Sequence, residues 1–425
     1  MKQDMLVKQK YLKKGGIIAL ITVLSMAPMF SVDMYLPGLP YMNAYFAASE
    51  SVMNLTLVGF YIFMAFGLLI FGPLSDKHGR KSILIISLFL YVVFSGLCAI
   101  STNIWQLIFF RIIEAIGAGG MLAISIVLIK DSFKGKAMST ILAVVTSISI
   151  IAPMVAPIAG AFILQCFSWR AIFVAYAVIG IICLIASFLL AETLPVSKRL
   201  DGKLINTMGR LVVVGKNKGF TYLLIIASLF AAPYMAYVAV SSYVYIDFFG
   251  LSVTAYSYIY GINAAGSVLG PLIYIKINGK VDPKKITWLC FVLAIFSGMA
   301  LIILGRLSPV LFLLSFIPFA FAESIMRVFS TDILLNQQEG DSGSASSLIN
   351  FTQTILGSIG MVIGALPWSN YISGLGICVL GFIIIGVISW IALLKSNISI
   401  KGLKEIQNKK QFEKSTCNEH NLKVG

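Results

Sequence analysis

The sequence predicts an all-α integral membrane protein: twelve transmembrane helices arranged as two six-helix pseudo-repeat bundles. Three observations carry the prediction. Hydrophobic residues make up 59% of the 425 and charged residues only 12%, where a soluble domain carries roughly 25% charged residues. The bilayer must be the solvent for most of this surface. Apolar runs long enough to cross it, roughly 20 residues each, lie near 16–36, 52–72, 82–101, 104–129, 138–164, 169–191, 219–246, 252–275, 286–305, 309–331, 344–367 and 370–394. With both ends of the chain on one side, 28 of the 32 Lys and Arg residues fall in the segments on that side, the exceptions being Arg111, Arg170, Arg306 and Arg327. Such a bias marks the cytoplasmic face, and one miscounted span would scramble it.

The elements follow in order. Residues 1–15 read as a basic cytoplasmic N-terminus and 16–191 as the first six-helix bundle. Residues 192–218 form a basic cytoplasmic linker, 219–395 the second bundle, and 396–425 a polar cytoplasmic tail expected to stay unstructured. The weakest break between spans is "STNIW", between the third and fourth. The first apolar run is too long for a cleaved signal peptide, and the chain keeps returning to the membrane after it. A faint internal likeness supports the division into halves. "GPLSDKHGRK" follows span two and "GPLIYIKINGK" closes span eight, the second copy lacking the acid and the Gly-Arg pair. Two six-helix halves with a path between them is a transporter architecture.

Composition also excludes classes. The formal net charge of +15 sits in short loops rather than on one folded face, which argues against nucleic acid. Cys98, Cys166, Cys183, Cys290, Cys378 and Cys417 are scattered without metal spacing. His78 and His420 are the only histidines. No metal, cofactor or catalytic cluster is expected, so the chain reads as a non-enzyme. No phosphate-cradling G-x-x-x-x-G-K-[ST] is present, which excludes a built-in ATPase drive.

The ionisable and helix-bending residues inside spans are the candidate functional groups, because charges in lipid are costly and usually functional or paired. Span one carries Asp33 in "SVDMYLPGLP", with Pro37 and Pro40 just beyond it. Met29 and Tyr35 beside it, Phe60 and Tyr61 on span two, and Tyr234, Met235 and Tyr237 on span seven are candidates to line a cavity. Tyr243 and Tyr245 are weaker ones. Methionines suit a plastic, unselective pocket. Span four carries Arg111 and Glu114, three apart and therefore on one face. They are either a self-neutralising pair or a base that tunes a nearby acid. Small residues at 117–120 permit close helix packing. Span five carries Pro153 and Pro157, one turn apart, which bend the helix. With Gly160 they suit a surface that slides, or simply a packing kink. Glu323 and Arg327 on span ten stand in the favourable i,i+4 order, enough for an internal pair that lowers insertion cost. Asp247 falls near the outer end of span seven.

The loop after span two, "GPLSDKHGRKSIL", is the most specific signal. Gly72 and Gly79 permit a tight turn and close approach, Asp76 sits at the membrane edge, and Arg80 and Lys81 can reach an acid on a neighbouring helix. Here the chain resembles the major facilitator superfamily, whose loop signature G-x-x-x-D-R/K-x-G-R-R/K is met at Gly72, Asp76, Lys77, Gly79, Arg80 and Lys81. The resemblance implies a conformational latch in which Arg80 pairs with Asp131 and Asp76 faces Ser342 and Gly343. "RIIEAIGAGG" is similar to the span-four motif of that superfamily, with Glu114 where Gln is usual. "APMVAPIAGAF" resembles the span-five motif of its drug–proton antiporters. "DMYLPGLP" and the span-eleven start "SGSASSLINF" resemble its bicyclomycin/chloramphenicol-resistance type.

The resemblance implies export of small, mainly apolar or cationic drugs in exchange for protons, across a bacterial inner membrane, with both termini cytoplasmic. Asp33 is the expected proton carrier, tuned by Arg111, with Glu114 in reserve. The expected partners are a drug-like molecule, protons and membrane lipid, and the expected state is a monomer. The alternative is a proton- or ion-coupled uptake symporter of a small metabolite on the same fold.

Overall fold

Membrane helices begin where a side chain can satisfy the free N–H groups of the first turn. Ser49, Asn103, Asn217, Ser252, Asp282, Ser308 and Asn370 each accept from a backbone N–H at the start of a helix. These caps divide the apolar chain. The weak break at "STNIW" is a real one, held by the Asn103 side chain accepting from the Trp105 N–H at 2.7 Å.

The structure is a computed structural model describing residues 9, 11–199, 204–337, 342–396, 398, 400, 401 and 403. All the regular elements among them are helical. The first half contains spans one (Lys14–Asp33), two (Glu50–His78), three (Arg80–Ala99), four (Ile104–Ser132), five (Gly135–Cys166) and six (Arg170–Leu189). The second contains span seven (Lys218–Ser228 and Ala231–Ser242, then a π-helical turn Tyr243–Phe248) and eight (Val253–Ile277). Nine (Pro283–Ile303), ten (Pro309–Asn336), eleven (Ser342–Gly364) and twelve (Tyr371–Lys395) complete it. Among the described residues eleven stretches are long and apolar enough to cross a membrane, and span five is a further helix of 32 residues. Large apolar side chains such as Phe89, Phe109, Ile182 and Ile388 stay exposed on the outside of the bundle. That is the surface lipid would cover.

Several local expectations shift. Span two does not end at Gly72. It runs on to His78, and only Gly79, with φ of 98°, makes the turn. A Cβ on Gly72 would meet nothing within 4 Å, so that glycine is not needed for packing. Span one continues past Asp33 into a 3-10 turn, Leu36–Gly38, and a short helix, Leu39–Phe46. Pro37 and Pro40 start these elements, where a missing N–H costs nothing. The linker holds a helix, Leu204–Gly215. Of the described tail, Ile400 and Leu403 are buried.

The halves meet along spans two and eleven and along spans five and eight. Phe66 lies against Phe351 with ring centroids 5.6 Å apart. At the end away from the termini, Ser51 donates to the Ala365 carbonyl. There too Gln165 donates to Thr254 at 2.6 Å and Tyr243 to Asn43 at 3.3 Å.

Candidate functional site

Span one, kinked by Pro28, delivers Asp33 as its last helical residue. The carboxyl is nearly closed off, at 6% exposure. Its Oδ1 accepts a hydrogen bond of 3.2 Å from the Tyr260 hydroxyl. Tyr260 lies on span eight, so the bond crosses from one half to the other. Behind it stands an aromatic wall. Tyr237 stacks on Tyr260 with centroids 6.1 Å apart and on Phe316 at 4.0 Å, and Tyr256 shares a 3.0 Å hydrogen bond with Ser241. Such a wall holds the phenol of Tyr260 in one orientation.

Span five packs against both spans that carry this bond. A Cβ on Gly160 would fall on the Met34 carbonyl, the residue after Asp33, and one on Gly261 would lie 3.2 Å from the Met154 carbonyl. The backbones of spans one, five and eight therefore approach closely because small residues stand at both crossings. Pro157 lies between these two contacts, and Pro153 directly precedes Met154.

Arg111 and Glu114 form a sealed cluster, both side chains 0% exposed and 3.1 Å apart. Glu114 also accepts from Ser95 at 2.8 Å. Arg111 donates to the Ser31 carbonyl at 3.0 Å, and its guanidinium lies 4.1 Å from the Phe60 ring centroid. Ser31 in turn shares a 2.6 Å hydrogen bond with Tyr91. Arg111 thus grips span one two residues before Asp33 and is paired with Glu114 rather than with Asp33. Gly117 and Gly119 bring span four against the backbones of spans three and two.

The seven expected lining residues separate into two groups. Met29, Tyr61, Tyr234 and Met235 keep part of their surface open, while Tyr35, Phe60 and Tyr237 are fully buried. Tyr35 bonds to Thr56 at 2.8 Å and joins Phe60 in the aromatic cage around Arg111. Asp247 is exposed and lines a cavity of about 290 Å³ with Glu50, Trp368 and Tyr371.

The signature loop is tied together by Arg80. Its Nε lies 3.0 Å from Asp131, and its Nη1 lies 2.5 Å from Asp76 and 2.7 Å from Ser75. The side chains of Ser342 and Gly343, expected opposite Asp76, lie outside the described residues. One member of the cluster was not expected. Glu192, just after span six, accepts from the backbone N–H groups of Arg80 and Lys81 at 2.9 and 3.2 Å. It caps span three across the loop, where a negative charge also complements the helix dipole. Its signal in the sequence is an acid at the very end of an apolar run. Tyr260 was also missed, because a tyrosine in a tyrosine-rich span has no distinguishing neighbour.

In the second half, Asp332 on span ten occupies the corresponding place. It accepts from Tyr274 at 2.8 Å and from Asn278 at 3.3 Å, so neutral donors stand where the first half has Arg80.

Residues 19–361 match the family described as Major Facilitator Superfamily. Over 348 residues the chain is 31% identical to the uncharacterized MFS-type transporter YdgK of Bacillus subtilis strain 168, covering 80% of this chain and 86% of the relative. It is 25% identical to the bicyclomycin resistance protein homolog of Haemophilus influenzae strain Rd, covering 92% and 99%. Among solved structures, the D-xylose-proton symporter superposes with a TM-score of 0.69 at 15% identity, covering 88% of this chain and 97% of that one. That likeness speaks to the fold.

Proposed function

The chain belongs to the major facilitator superfamily and is a multi-pass membrane transporter, and we propose that it exports small apolar or cationic drugs in exchange for protons. The observation that carries this reading is the hydrogen bond from Tyr260 to Asp33 across the two halves. The relationship to a bicyclomycin resistance homolog supports drugs as the cargo. The paired prolines of span five, packed against both spans of that bond, support antiport.

The geometry suggests how coupling works. An ionised carboxylate beside an apolar wall is costly unless it is paired or hydrated. Tyr260 is its partner while the halves are closed around it. Rigid-body rocking of one half against the other must part the two side chains, because they sit on opposite halves. When the path faces outward, Asp33 takes a proton and the cargo leaves. When it faces the cytoplasm, Asp33 releases the proton and accepts the next cargo. One charge moved across about 100 mV is worth roughly 2.3 kcal/mol, enough to drive export. Arg111 acts through its hold on the Ser31 carbonyl, which sets where span one presents Asp33. In this reading both termini are cytoplasmic in a bacterial inner membrane, which the bias of Lys and Arg supports, and Arg80 with Asp76 and Asp131 ties the signature loop at that face.

The test is drug-induced proton release from the purified protein over a panel of compounds, repeated for Asp33→Asn. Release by the wild type and none by the variant is expected. Unchanged release by the variant overturns the assignment of Asp33.

A further inference from the structure

Span ten carries an arginine in an unusual place. Leu314 and Val310 mark its outward face, at 55% and 61% exposure. At about 100° per residue, Glu323 lies about 180° and Arg327 about 140° around the helix from Leu314. Both therefore point into the protein. Neighbours on that inner side, Phe316, Ala320 and Leu334, are buried, and Glu323 is 5% exposed. Yet the Arg327 side chain is 54% exposed. A side chain on the inner side of its helix that keeps half its surface free borders an open space within the bundle.

The space is the one between the halves. Tyr234 of span seven lies within electrostatic reach of Glu323, Arg327 and Asp33 together. The arginine is also underused. Its Nε lies 3.5 Å from Glu323 Oε1, a loose contact, and its two Nη groups have no partner among the described residues. Glu323 Oε2 is buried without a hydrogen-bond partner. The contrast with the other half is direct: Arg111 and Glu114 are sealed and held by Ser31 and Ser95. The sealed pair is structural, whereas the open pair leaves both Nη groups of a half-exposed guanidinium free.

We propose that Arg327 is the anchor for an anionic group on the cargo, so that the transporter takes amphiphiles carrying a carboxylate, not only cations. The guanidinium fork matches a carboxylate through its free Nη groups, and Glu323 holds the guanidinium from its buried side. The inference rests on the central path of the proposed export function, and it adds a fixed positive charge on the half that does not carry Asp33.

The test uses full-length protein in proteoliposomes and three fluorescent probes: ε-dansyl-lysine, its methyl ester and dansylcadaverine. All three share the apolar ring system, and only the first carries a carboxylate. The wild type should bind dansyl-lysine about tenfold more tightly than the other two. Arg327→Gln should erase the difference while still binding the cationic probes, and Arg327→Lys should keep part of it. The double variant Glu323→Gln, Arg327→Gln leaves no unpaired buried charge and should behave as the single one, which excludes a folding defect as the cause. Equal binding of the three probes by the wild type overturns the proposal. So does a preference that survives in Arg327→Gln, or no binding of dansyl-lysine. Proton-driven export of dansylcadaverine is read in the same vesicles. Its presence with no carboxylate preference removes the Arg327 assignment and leaves the export reading standing. Its absence with the preference intact does the reverse.

Discussion

Tyr260 and Asp33 meet at 3.2 Å across the line where the two halves of the molecule join. Among the described residues neither has another side-chain hydrogen-bond partner. A hydrogen bond to a charged group contributes about 1.5–3 kcal/mol, so this one bears directly on the balance between the closed arrangement and its alternative. Removing the phenol alone, in Tyr260→Phe, leaves the ring in its aromatic stack. Proton-driven export should fall about tenfold, whereas Asp33→Asn should abolish it. Transport in proteoliposomes with an imposed pH gradient checks both, and full activity in Tyr260→Phe would dismiss the bond as incidental.

Glu114 is the other acid deep in the first half, and its surroundings separate it from Asp33. It is 0% exposed, paired with Arg111 and bonded to Ser95. No opening of the interface between halves reaches it without unpacking span four from span three. Glu114→Gln should therefore keep drug-induced proton release and lower the melting temperature of the purified protein. Arg111→Gln leaves a buried carboxylate unpaired, which costs about 3–5 kcal/mol, and it should be the more damaging of the two. Loss of proton release in a well-folded Glu114→Gln protein would move the proton site to span four.

Gly160 tests the role of span five. A Cβ there falls on the Met34 carbonyl, so Gly160→Ala must push span five away from the end of span one. Overpacking of this kind costs about 1–3 kcal/mol, and the displacement is felt at Asp33. Gly381 on span twelve is the control, since a Cβ there meets nothing within 4 Å. Export by Gly160→Ala should drop severalfold at equal membrane abundance, and Gly381→Ala should match the wild type.

The architecture was legible in the sequence because lipid leaves the chain few options. Apolar length and the side on which Lys and Arg fall both read out directly as spans. Asp33, Arg111 and Arg80 stood out for a related reason: a charge in or beside a span is conspicuous. What they touch was less legible. The Arg111–Glu114 pair is one of the two readings the spacing offers, but the bond from Arg111 to a carbonyl of span one depends on how spans one and four cross. Tyr260 and Glu192 act through contacts 227 and 112 residues away in the chain, and no local pattern marks either. Gly72 resembled Gly79 in the motif, but whether a glycine turns the chain depends on its φ, and only Gly79 does so.

At the end nearer the termini the two halves surround a span-end carboxylate with different chemistry, and this makes a final prediction. Asp131 faces the guanidinium of Arg80 at 3.0 Å, while Asp332 is held by the neutral donors of Tyr274 and Asn278. Replacing Asp131 with Asn removes one of the two carboxylates paired with Arg80, whose side chain is itself 6% exposed. Replacing Asp332 with Asn keeps an acceptor for Tyr274 and strands no charge. Asp131→Asn should lower export at least tenfold and loosen the loop between spans two and three, and Asp332→Asn should stay within about threefold of the wild type. Arg80→Lys should resemble Asp131→Asn, because an ammonium cannot span Asp76, Asp131 and Ser75 at once as the guanidinium does. Transport rates at matched protein levels, together with labelling of cysteines placed at the cytoplasmic end, measure both effects. Equal losses from Asp131→Asn and Asp332→Asn would show that the arginine contributes nothing beyond the hydrogen bonds its neutral counterparts supply.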